Sequence, residues 1–311
     1  MIKLFSAPQG IVDLSSFDHL LHGSVVKTFE ERFAEYVGAK YACSFNSATS
    51  ALFLILKRFP EPLGIIEIPS IIPPVVLNAI ITSGHRIRFT DNTDWVGHSY
   101  TLHTYGHGMK IIDSAQRVDR DQFRKEAEDN DIMVFSFYPT KPVGGCDGGM
   151  VVSNNKAVIE DLQTASLNGM AFTINSWERK PAFPGYKMYM NSVQAQIAFK
   201  SLMSLDDRKE SLKNMQEYYN GELGLNNTSY HLYRIKILNN NLFIEYMKNK
   251  GIQCGKHYAP AHLMSPYQEG SDQPLPLSEE TGVTTVSIPY HDHLSLKDAQ
   301  NVVKAIKSYG S

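Results

Sequence analysis

The stretch "VFSFYPTKPVGGCDGGMVVSN" (residues 134–154) places a single lysine, Lys141, between two apolar runs. The run "MVFSFY" is typical of a buried strand that ends just before this lysine, and "GGMVVS" predicts the next strand. Glycines between the two runs allow the backbone to turn tightly beside Lys141. Ligands bind at strand ends in α/β sheets, whereas most lysines are simply solvated on the surface. Lys141 is therefore a candidate functional residue, with a solvated lysine as the ordinary alternative.

Composition narrows the class of protein. The 311 residues are 42% hydrophobic and 11% aromatic, which is enough to bury a sizeable core in one large domain and one smaller domain. A net charge of -2 gives no electrostatic reason to expect binding to nucleic acid or to an anionic membrane. We therefore expect neither a nucleic acid nor a membrane as a partner.

The cysteines and the apolar segments indicate a cellular location. Cys43, Cys146 and Cys254 are widely separated and lack the C-x-x-C spacing of a zinc or redox site, which favours a reducing compartment. The opening residues "MIKLFSAPQG" lack the long apolar segment of a signal peptide. The most apolar stretch, "LGIIEIPSIIPPVVLNAII", is interrupted by Glu67, Asn78 and three prolines, so it does not resemble a membrane span. We expect a soluble cytoplasmic protein.

Strand-like and helix-like segments alternate through the first part of the chain. "KYACSF" and "GIIEIP" predict strands, and each is followed by a helical pattern, "SATSALFLILKRF" and "PPVVLNAIITSG" respectively. Four more short segments rich in apolar and β-branched residues predict strands: "HRIRFTD", "HSYTLHTYG", "MKIIDSA" and "DIMVFSFY". This order predicts an α/β fold with a mostly parallel, mixed sheet that helices cover on both faces.

From about Met190 the pattern changes. "NSVQAQIAFKSLMSLDDRKESLKNMQEYYNGEL" predicts one long amphipathic helix or two in series. After it, "SYHLYRIKIL" and "TTVSIPY" predict strands, and "NLFIEYMKNKG" and "SLKDAQNVVKAIKSY" predict helices, the last with Ser295 as its N-cap. We therefore expect a large domain over residues 1–205 and a small α+β domain over residues 206–311.

Four groups in the large domain could together bind one anionic aromatic cofactor. In "SFNSATSAL" a strand leads into a helix start with Ser47 and Thr49, where hydroxyls and free amides can bind phosphate, although both residue types are also ordinary N-caps. Asp113 follows a buried strand and would either cap a helix or bind a positive group. Ser136 ends another strand, where a satisfied hydroxyl is the ordinary explanation. Lys141 is the fourth group.

Histidine pairs suggest a metal site as an alternative. His103 and His107 lie in "HTYGH", and His291 and His293 lie in "HDH". Neither pair has the carboxylate and the spacing of a zinc protease, so exposed loop histidines are the better explanation. We expect no metal.

The order and spacing of these groups resemble the pyridoxal-phosphate-dependent sugar aminotransferases of the DegT/DnrJ/EryC1/StrS group. "SFYPTK" resembles the family's Ser-Phe-x-x-x-Lys motif, "IIDSAQ" its Glu-Asp-Ala-Ala-Gln motif, and "DGGMVVSN" its Glu-Gly-Gly-Met-Val-Val turn. The resemblance covers nearly the whole chain and implies the aspartate aminotransferase-like architecture of fold type I. Further similar segments occur in the family's order: "VVKTFEERFAEYVGAKYACSFNSATSAL", "IPSIIPPVVLNAIITSGHRIRFTD", "PGYKMYMNSVQAQIA", "GIQCGKHYAPAH" and "VSIPYHDHLSLKDAQNVVKAI".

The resemblance implies a role for each central residue. Lys141 would anchor pyridoxal 5'-phosphate covalently and, once released, would move the proton of the substrate. Asp113 would pair with the pyridine nitrogen and keep it protonated, so that the ring can accept electrons. Gln116 would donate a hydrogen bond to the phenolic oxygen of the ring.

Further binding residues follow from the same resemblance. The amides around Ala48 and Thr49, with the hydroxyls of Thr49 and Ser136, would hold the cofactor phosphate. Pro73 would cover one face of the ring. Lys187, His257, Tyr258 and His262 are candidate substrate contacts. For His257 and His262, which would line a pocket near the small domain, a structural role is an equal alternative.

The implied reaction has two halves. An amino acid, by family analogy glutamate, would leave its amine on the cofactor, and a nucleotide-linked keto-sugar would then accept it, which gives ping-pong kinetics. The resemblance also implies a homodimer with the active site at the subunit interface and with Lys187 reaching into the site of the partner.

The chain departs from the family pattern at several positions. Ala48 replaces a usual glycine, which requires a negative φ at that residue. Pro73 replaces a usual stacking aromatic residue, Tyr189 stands where Asn or Arg is usual, and Ile112 replaces a usual glutamate. The run over residues 91–113 is short, so we expect a trimmed sheet or a trimmed surface there.

Two alternatives from other functional classes stay open. The family's dehydratases keep the cofactor but lack the anchoring lysine, so Lys141 favours transamination. A diverged member that binds the cofactor or a sugar nucleotide without turnover is the other alternative, because Ala48, Pro73 and Tyr189 alter the site.

Overall fold

The computed structural model describes residues 1–8, 10, 12–60, 64–173, 175–270 and 273–309, with the side chain of residue 176 excluded. Nine strands lie in these ranges: β1 (Tyr41–Phe45), β2 (Ile65–Pro69), β3 (Arg86–Thr90), β4 (Tyr100–Thr104), β5 (Lys110–Asp113), β6 (Ile132–Ser136), β7 (Gly149–Ser153), β8 (Tyr233–Lys236) and β9 (Thr285–Ile288).

Helices separate most of these strands. Ten α-helices lie in the same described ranges: α1 (Ser24–Val37), α2 (Ala48–Arg58), α3 (Pro74–Thr82), α4 (Gln122–Glu126), α5 (Lys156–Ser166), α6 (Ser192–Met203), α7 (Leu205–Leu223), α8 (Asn240–Asn249), α9 (Pro276–Thr284) and α10 (Leu296–Lys307). Short 3₁₀ helices cover Leu14–Ser16, Ser176–Glu178, Ala261–Leu263 and Ser265–Gly270. Across the described part of the chain, no helix has the length and hydropathy needed to span a bilayer.

The central sheet has five strands in the order β1-β7-β6-β5-β4. β5 and β6 pair in parallel, and the other neighbours pair antiparallel, so β1, β5 and β6 run one way while β4 and β7 run the other. β2 and β3 form a separate parallel pair. The predicted α/β architecture with a mixed sheet is confirmed.

Helices cover both faces of this sheet, as predicted. Alternate residues of a strand point to opposite faces, and neighbouring residues such as Val134 and Phe135 therefore enter different hydrophobic cores. The core around Val134 contains residues of α2, α3 and α5, and the core around Phe135 contains residues of α1 and α6. The sheet is thus buried on both sides, and its strand ends are the accessible part.

The short run over residues 91–113 folds as an antiparallel β4–β5 hairpin. The amide of Tyr105 donates to the carbonyl of Met109, and the amide of Gly108 donates back to the carbonyl of Tyr105, which closes the turn. A hairpin needs only a few connecting residues, whereas a parallel crossover needs a dozen or more. The hairpin places Tyr100 directly opposite Asp113.

The C-terminal residues build a third core. The two-stranded antiparallel sheet of β8 and β9 packs with α7, α8 and α10 around Tyr219, Tyr233 and Phe243. The segment predicted as one or two helices is two, since Ser204 ends α6 and α7 begins at the next residue. Ser295 caps α10 as predicted, because its side chain accepts a hydrogen bond from the amide of Asp298.

Candidate active site

The N-terminus of α2 forms a seat of backbone amides. Ser47 is the N-cap and its Oγ accepts the amide of Ser50 at 3.1 Å, while Ala48 and Thr49 open the first turn. The first amides of a helix have no intrahelical acceptors and can bind an anion. The non-glycine residues described at positive φ do not include Ala48, so alanine is compatible with this turn.

Ser136 lies beside this amide seat. It ends β6 and pairs with Gly149, the first residue of β7. A Cβ atom on Gly149 would lie 2.6 Å from the nitrogen of Ala48, so the strand can approach the helix start only because residue 149 is glycine. Ala48 and Ser136 are therefore both neighbours of Gly149, and their role in phosphate binding stays a prediction.

Asp113 is buried at the end of β5, with only 4% of its surface exposed. Its Oδ1 accepts the amide of Ala115 at 2.9 Å, and its Oδ2 accepts the hydroxyl of Tyr100 at 3.1 Å. Burial raises the pKa of Asp113, and the amide of Ala115, the positive charge of Lys141 and the hydroxyl of Tyr100 oppose that rise. A positively charged partner would stabilise the ionised form of this carboxylate.

Lys141 follows β6 in a tight turn, in which its amide donates to the carbonyl of Tyr138 at 2.9 Å. Burial lowers the pKa of Lys141 to about 8, although the negative charge of Asp113 acts in the opposite direction. The residue lines a cavity of about 570 Å³. A lysine with a lowered pKa has an appreciable neutral fraction near neutral pH, which a nucleophile or a general base needs.

Gln116 is buried between two partners. Its Oε1 accepts the amide of Gly97 at 2.7 Å, and its Nε2 donates to the hydroxyl of Tyr258 at 3.1 Å. Nε2 has a second hydrogen, which can serve a ligand. Gln116 and Tyr258, predicted separately for cofactor and substrate, therefore lie in contact.

Two histidines, His231 and His257, lie within electrostatic range of Lys141. Phe5 stacks on His231 at 5.8 Å between ring centroids and meets His257 edge-on at 5.5 Å. Burial and the charge of Lys141 lower the pKa of His257 to about 4 and lower the pKa of His231 well below its ordinary value. Both imidazoles are therefore neutral near Lys141. His257 was expected from the sequence, but His231 was not.

Other predicted residues have different surroundings. The Nδ1 of His262 lies 2.6 Å from Ser70 Oγ, and its Nε2 lies 3.5 Å from a carboxylate oxygen of Glu279. Pro73 is the N-cap of α3, and Lys187 is exposed. None of these positions refutes the roles predicted for the three residues, which remain predictions.

Comparison with known proteins identifies the family. The sequence model of the DegT/DnrJ/EryC1/StrS aminotransferase family matches residues 9–91 and 105–307, which is most of the chain. The chain belongs to this family. The recognition made from the motifs is confirmed, and the protein is an aminotransferase with the fold of the pyridoxal-phosphate-dependent enzymes of fold type I.

Individual relatives agree with this assignment. The chain is 26% identical to a UDP-4-amino-4,6-dideoxy-N-acetyl-beta-L-altrosamine transaminase of Campylobacter jejuni, over 91% of this chain and 89% of the relative. The aminotransferase TlmJ of Streptoalloteichus hindustanus has a similar structure, with a TM-score of 0.84, 23% identity and coverage of 99% and 98% of the two chains. The protein Spr1654 of Streptococcus pneumoniae, in its PLP form, gives a TM-score of 0.79 at 19% identity, with 98% of this chain and 97% of that chain covered.

The residues of the candidate active site fit pyridoxal 5'-phosphate, the cofactor of this family of aminotransferases. The amide seat beside Gly149 suits a phosphate, since a side chain at residue 149 would fill it. Asp113 suits a protonated ring nitrogen, and the neutral form of Lys141 suits an aldehyde carbon. The site therefore carries the groups that this cofactor needs.

Sequence reasoning missed some residues that contact the candidate site. Tyr100 and Gly97, which bind Asp113 and Gln116, lie in residues 92–104, outside the two segments that match the family model. Trp95 of the same segment packs at 4.5 Å from Tyr100 and stacks at 6.3 Å from Tyr258. No motif marks these residues, although the run over residues 91–113 that contains them is short compared with the family pattern.

Proposed function

We propose that this aminotransferase moves an amino group from an amino acid, glutamate, to a nucleotide-linked keto-sugar by a ping-pong mechanism. The observation that carries the proposal is that Lys141, which lines a cavity, lies within electrostatic range of the buried carboxylate of Asp113. The name of the Campylobacter jejuni relative supports a UDP-linked amino sugar as the class of product.

The proposed mechanism assigns a task to each residue. Bound at this site, pyridoxal 5'-phosphate supplies an electron sink for negative charge at the substrate carbon. Neutral Lys141 Nζ takes the proton from Cα of the amino-acid donor and later delivers one to the sugar carbon that is aminated. Asp113 holds a positive charge at the ring nitrogen. Backbone amides of Ala48 and Thr49, with the hydroxyls of Thr49 and Ser136, bind the phosphate.

Neighbouring side chains would orient the bound molecules. Gln116 Nε2 would donate to an anionic ring oxygen, and Pro73 would cover one face of the ring. The neutral imidazole of His257 and the hydroxyl of Tyr258 would contact the substrate, because both lie in the group around Lys141 and Asp113. For His262 the proposed role is a contact farther along the substrate.

We further propose a homodimer with the active site at the subunit interface. The segment "PGYKMYMNSVQAQIA" (residues 184–198) is similar to the dimer-contact segment of the family. Large apolar side chains shortly before it in sequence are exposed: Phe172 is 60% exposed and Trp177 is 81% exposed. Exposed apolar side chains of this size are typical of a contact surface. Lys187 is exposed nearby in sequence, where it could reach the active site of a partner.

A mixing experiment tests the shared site. Variants Lys141→Ala and Lys187→Ala, each of low activity alone, are unfolded, mixed in equal amounts and refolded. If Lys187 acts across a twofold interface, mixed dimers contain one intact site, and about a quarter of the wild-type activity returns. No recovery, with dimers present by light scattering, would refute the role of Lys187.

Two coarser features belong to the same proposal. We propose that the chain divides into a large domain, residues 1–205, and a small domain, residues 206–311, which the separate core around Tyr219 and Phe243 supports. We propose a cytoplasmic location, which the three free cysteines, Cys43, Cys146 and Cys254, support because disulfides persist in oxidising compartments.

The first experiment is a visible absorption spectrum of the protein with pyridoxal 5'-phosphate, before and after glutamate. Covalently bound cofactor should absorb in the visible range, glutamate should bleach that band, and Lys141→Ala should lack it. A band that ignores glutamate would refute the choice of donor. Absence of any band would refute turnover and favour a diverged member of the family.

A further inference from the structure

Residues 92–104 contact both polar groups that the proposed function assigns to the cofactor ring. Tyr100 Oη donates to Asp113 Oδ2 at 3.1 Å, and the amide of Gly97 donates to Gln116 Oε1 at 2.7 Å. These residues lie outside the segments that match the family model. We propose that this segment is a positioning element of the active site, in which Tyr100 orients the Asp113 carboxylate and Gly97 orients the Gln116 amide. The inference rests on the proposed roles of Asp113 and Gln116.

The β4–β5 hairpin makes the first contact possible. Tyr100 and Asp113 are directly opposite in the antiparallel register, and opposite residues of such a pair have side chains on the same face of the sheet. A register shift between Thr101 and His103 separates this pair from the rest of the hairpin. The shortened connection thus brings a hydroxyl group to a buried carboxylate.

The segment is fixed at several points. Trp95 Nε1 donates to the carbonyl of Ile71 at 3.0 Å, and Ser229 Oγ donates to the carbonyl of Gly97 at 3.0 Å. Trp95 is only 6% exposed and packs on the ring of Tyr100. These contacts hold the part of the segment that precedes Tyr100 against the rest of the chain, and the Trp95 ring packs against the Tyr100 ring.

The direction of the hydrogen bond follows from the charges around it. Burial and the negative charge of Asp113 raise the pKa of Tyr100 well above its ordinary value, so the hydroxyl keeps its proton and donates it. The groups facing Asp113 are the amide of Ala115, the ammonium of Lys141 and the phenols of Tyr100 and Tyr258. One donor on each oxygen fixes the plane of the carboxylate, and each oxygen keeps a lone pair for a cation.

The contact at Gly97 fixes which end of the Gln116 amide faces a ligand. Oε1 is committed to the amide of Gly97, so Nε2 remains the donor, with one hydrogen on Tyr258. Gly97 has φ +95°, and a Cβ atom there would lie 2.6 Å from Ser229 Oγ. Glycine is therefore required for the loop to approach both Gln116 and Ser229.

The test removes one hydroxyl. Tyr100→Phe keeps the ring on Trp95 and deletes the donor to Asp113. With the hydrogen bond to the carboxylate lost, the acid limb of the kcat/KM pH profile should move up by about one pH unit, and the apoenzyme should bind pyridoxal 5'-phosphate about tenfold more weakly in a fluorescence titration. Tyr100→His, which keeps a ring and an N–H donor, should show a smaller shift of the acid limb and a smaller loss of cofactor affinity than Tyr100→Phe.

A matched control lies in the same hairpin. Tyr105 Oη donates to the carbonyl of Phe59 at 2.7 Å, so Tyr105→Phe also deletes one partly buried hydroxyl bond. We expect Tyr105→Phe to lower the melting temperature without moving the acid limb or the cofactor affinity. Equal shifts in Tyr105→Phe and Tyr100→Phe would overturn the inference, because they would show a general loss of packing.

The double variant separates this inference from the proposed function. When Asp113→Asn impairs cofactor binding, Tyr100→Phe should lower the affinity for pyridoxal 5'-phosphate much less in the Asp113→Asn background than in the wild type. Additive losses would overturn the positioning role while the role of Asp113 stands. If neither Asp113→Asn nor Tyr100→Phe has an effect, the proposed role of Asp113 itself is wrong. If Tyr100→Phe does not fold, Tyr100→His provides the test. An acid limb and a cofactor affinity like those of the wild type would support a hydrogen-bond donor at residue 100, and loss of the acid limb would refute it.

Discussion

Lys141 and Asp113 lie close enough for the charge of each group to shift the pKa of the other. Burial is the larger effect: it lowers the pKa of Lys141 and raises the pKa of Asp113. The opposite charges partly reverse both shifts. A molecule that brings a cation to Asp113 would stabilise the charged carboxylate, and a carbonyl carbon on the same molecule could react with the neutral amine of Lys141. The pair therefore indicates cofactor binding more strongly than either residue alone.

The lowered pKa of Lys141 predicts the pH at which the apoenzyme becomes reactive. Only the neutral amine attacks an aldehyde, so attachment of pyridoxal 5'-phosphate should rise with pH and reach half its maximum near pH 8. Borohydride trapping, followed by mass spectrometry of the Lys141 peptide, measures it. Lys200→Ala, which removes an exposed lysine of the same cavity, should leave the curve unchanged. A half-point near pH 10 would contradict a buried amine.

Replacement of Asp113 by asparagine should change two quantities at once. Without the negative charge, the pKa of Lys141 should fall further, and the trapping curve should move to lower pH. Turnover should drop at least about a hundredfold, because the ring nitrogen loses its partner. Asp207→Asn is the control for loss of a carboxylate, because Asp207 is exposed at the cavity that Lys141 lines. A shifted curve with full turnover would show that Asp113 tunes Lys141 without acting on the cofactor.

Arg208 should matter through the backbone that carries Lys141. Its Nη2 donates to the carbonyl of Pro142 at 2.9 Å and to the carbonyl of Ser201 at 2.7 Å. Arg208→Met should cost about 1–3 kcal/mol of stability, since both carbonyls lose the hydrogen bond from Arg208, and should lower kcat more than it raises KM. Urea unfolding and steady-state kinetics measure the two effects. Arg124→Met, at an exposed pair with Asp121, should change neither quantity.

The sequence predicts features that depend on local pattern. The strand ends at Asp113 and Ser136 and the N-cap at Ser295 follow from apolar runs and capping preferences, and the structure places them as expected. Lys141 and Asp113 are expected to meet because parallel strands such as β5 and β6 end at the same edge of a sheet. Local signals thus suffice for the central pair of the site.

Contacts that depend on register or on distant packing leave no such signal. The segment "HSYTLHTYG" predicts a strand, but nothing in it shows that β4 pairs antiparallel with β5, and only that pairing brings Tyr100 to Asp113. His231 lies in an ordinary strand-like run, and its place near Lys141 follows from the packing of Phe5, more than two hundred residues away in the chain. Such residues are found from the structure alone.

A partly buried carboxylate outside the active site gives a further prediction. Glu30 of α1 accepts the amide of Ser44 at 2.8 Å and the hydroxyl of Ser44 at 2.6 Å on the same oxygen. Burial nevertheless raises the pKa of Glu30 to about 7, because these two hydrogen bonds do not fully replace hydration. The folded chain therefore holds this proton up to a higher pH than the unfolded chain.

The sign of the effect on stability follows from that difference. Between about pH 4.5 and pH 7 the folded state binds more protons than the unfolded state, so the Glu30 contribution to the free energy of unfolding falls as the pH rises through this window. Glu30→Gln cannot ionise, and its Oε1 can still accept both bonds from Ser44. The variant should match the wild type at pH 4.5 and exceed its stability by up to about 3 kcal/mol at pH 8. Urea unfolding of both proteins at these two pH values measures the difference.

Glu31→Gln, at an exposed neighbour, should show no such pH dependence. A Glu30→Gln difference that is the same at both pH values would mean that Glu30 is charged throughout, with its hydrogen bonds outweighing its burial.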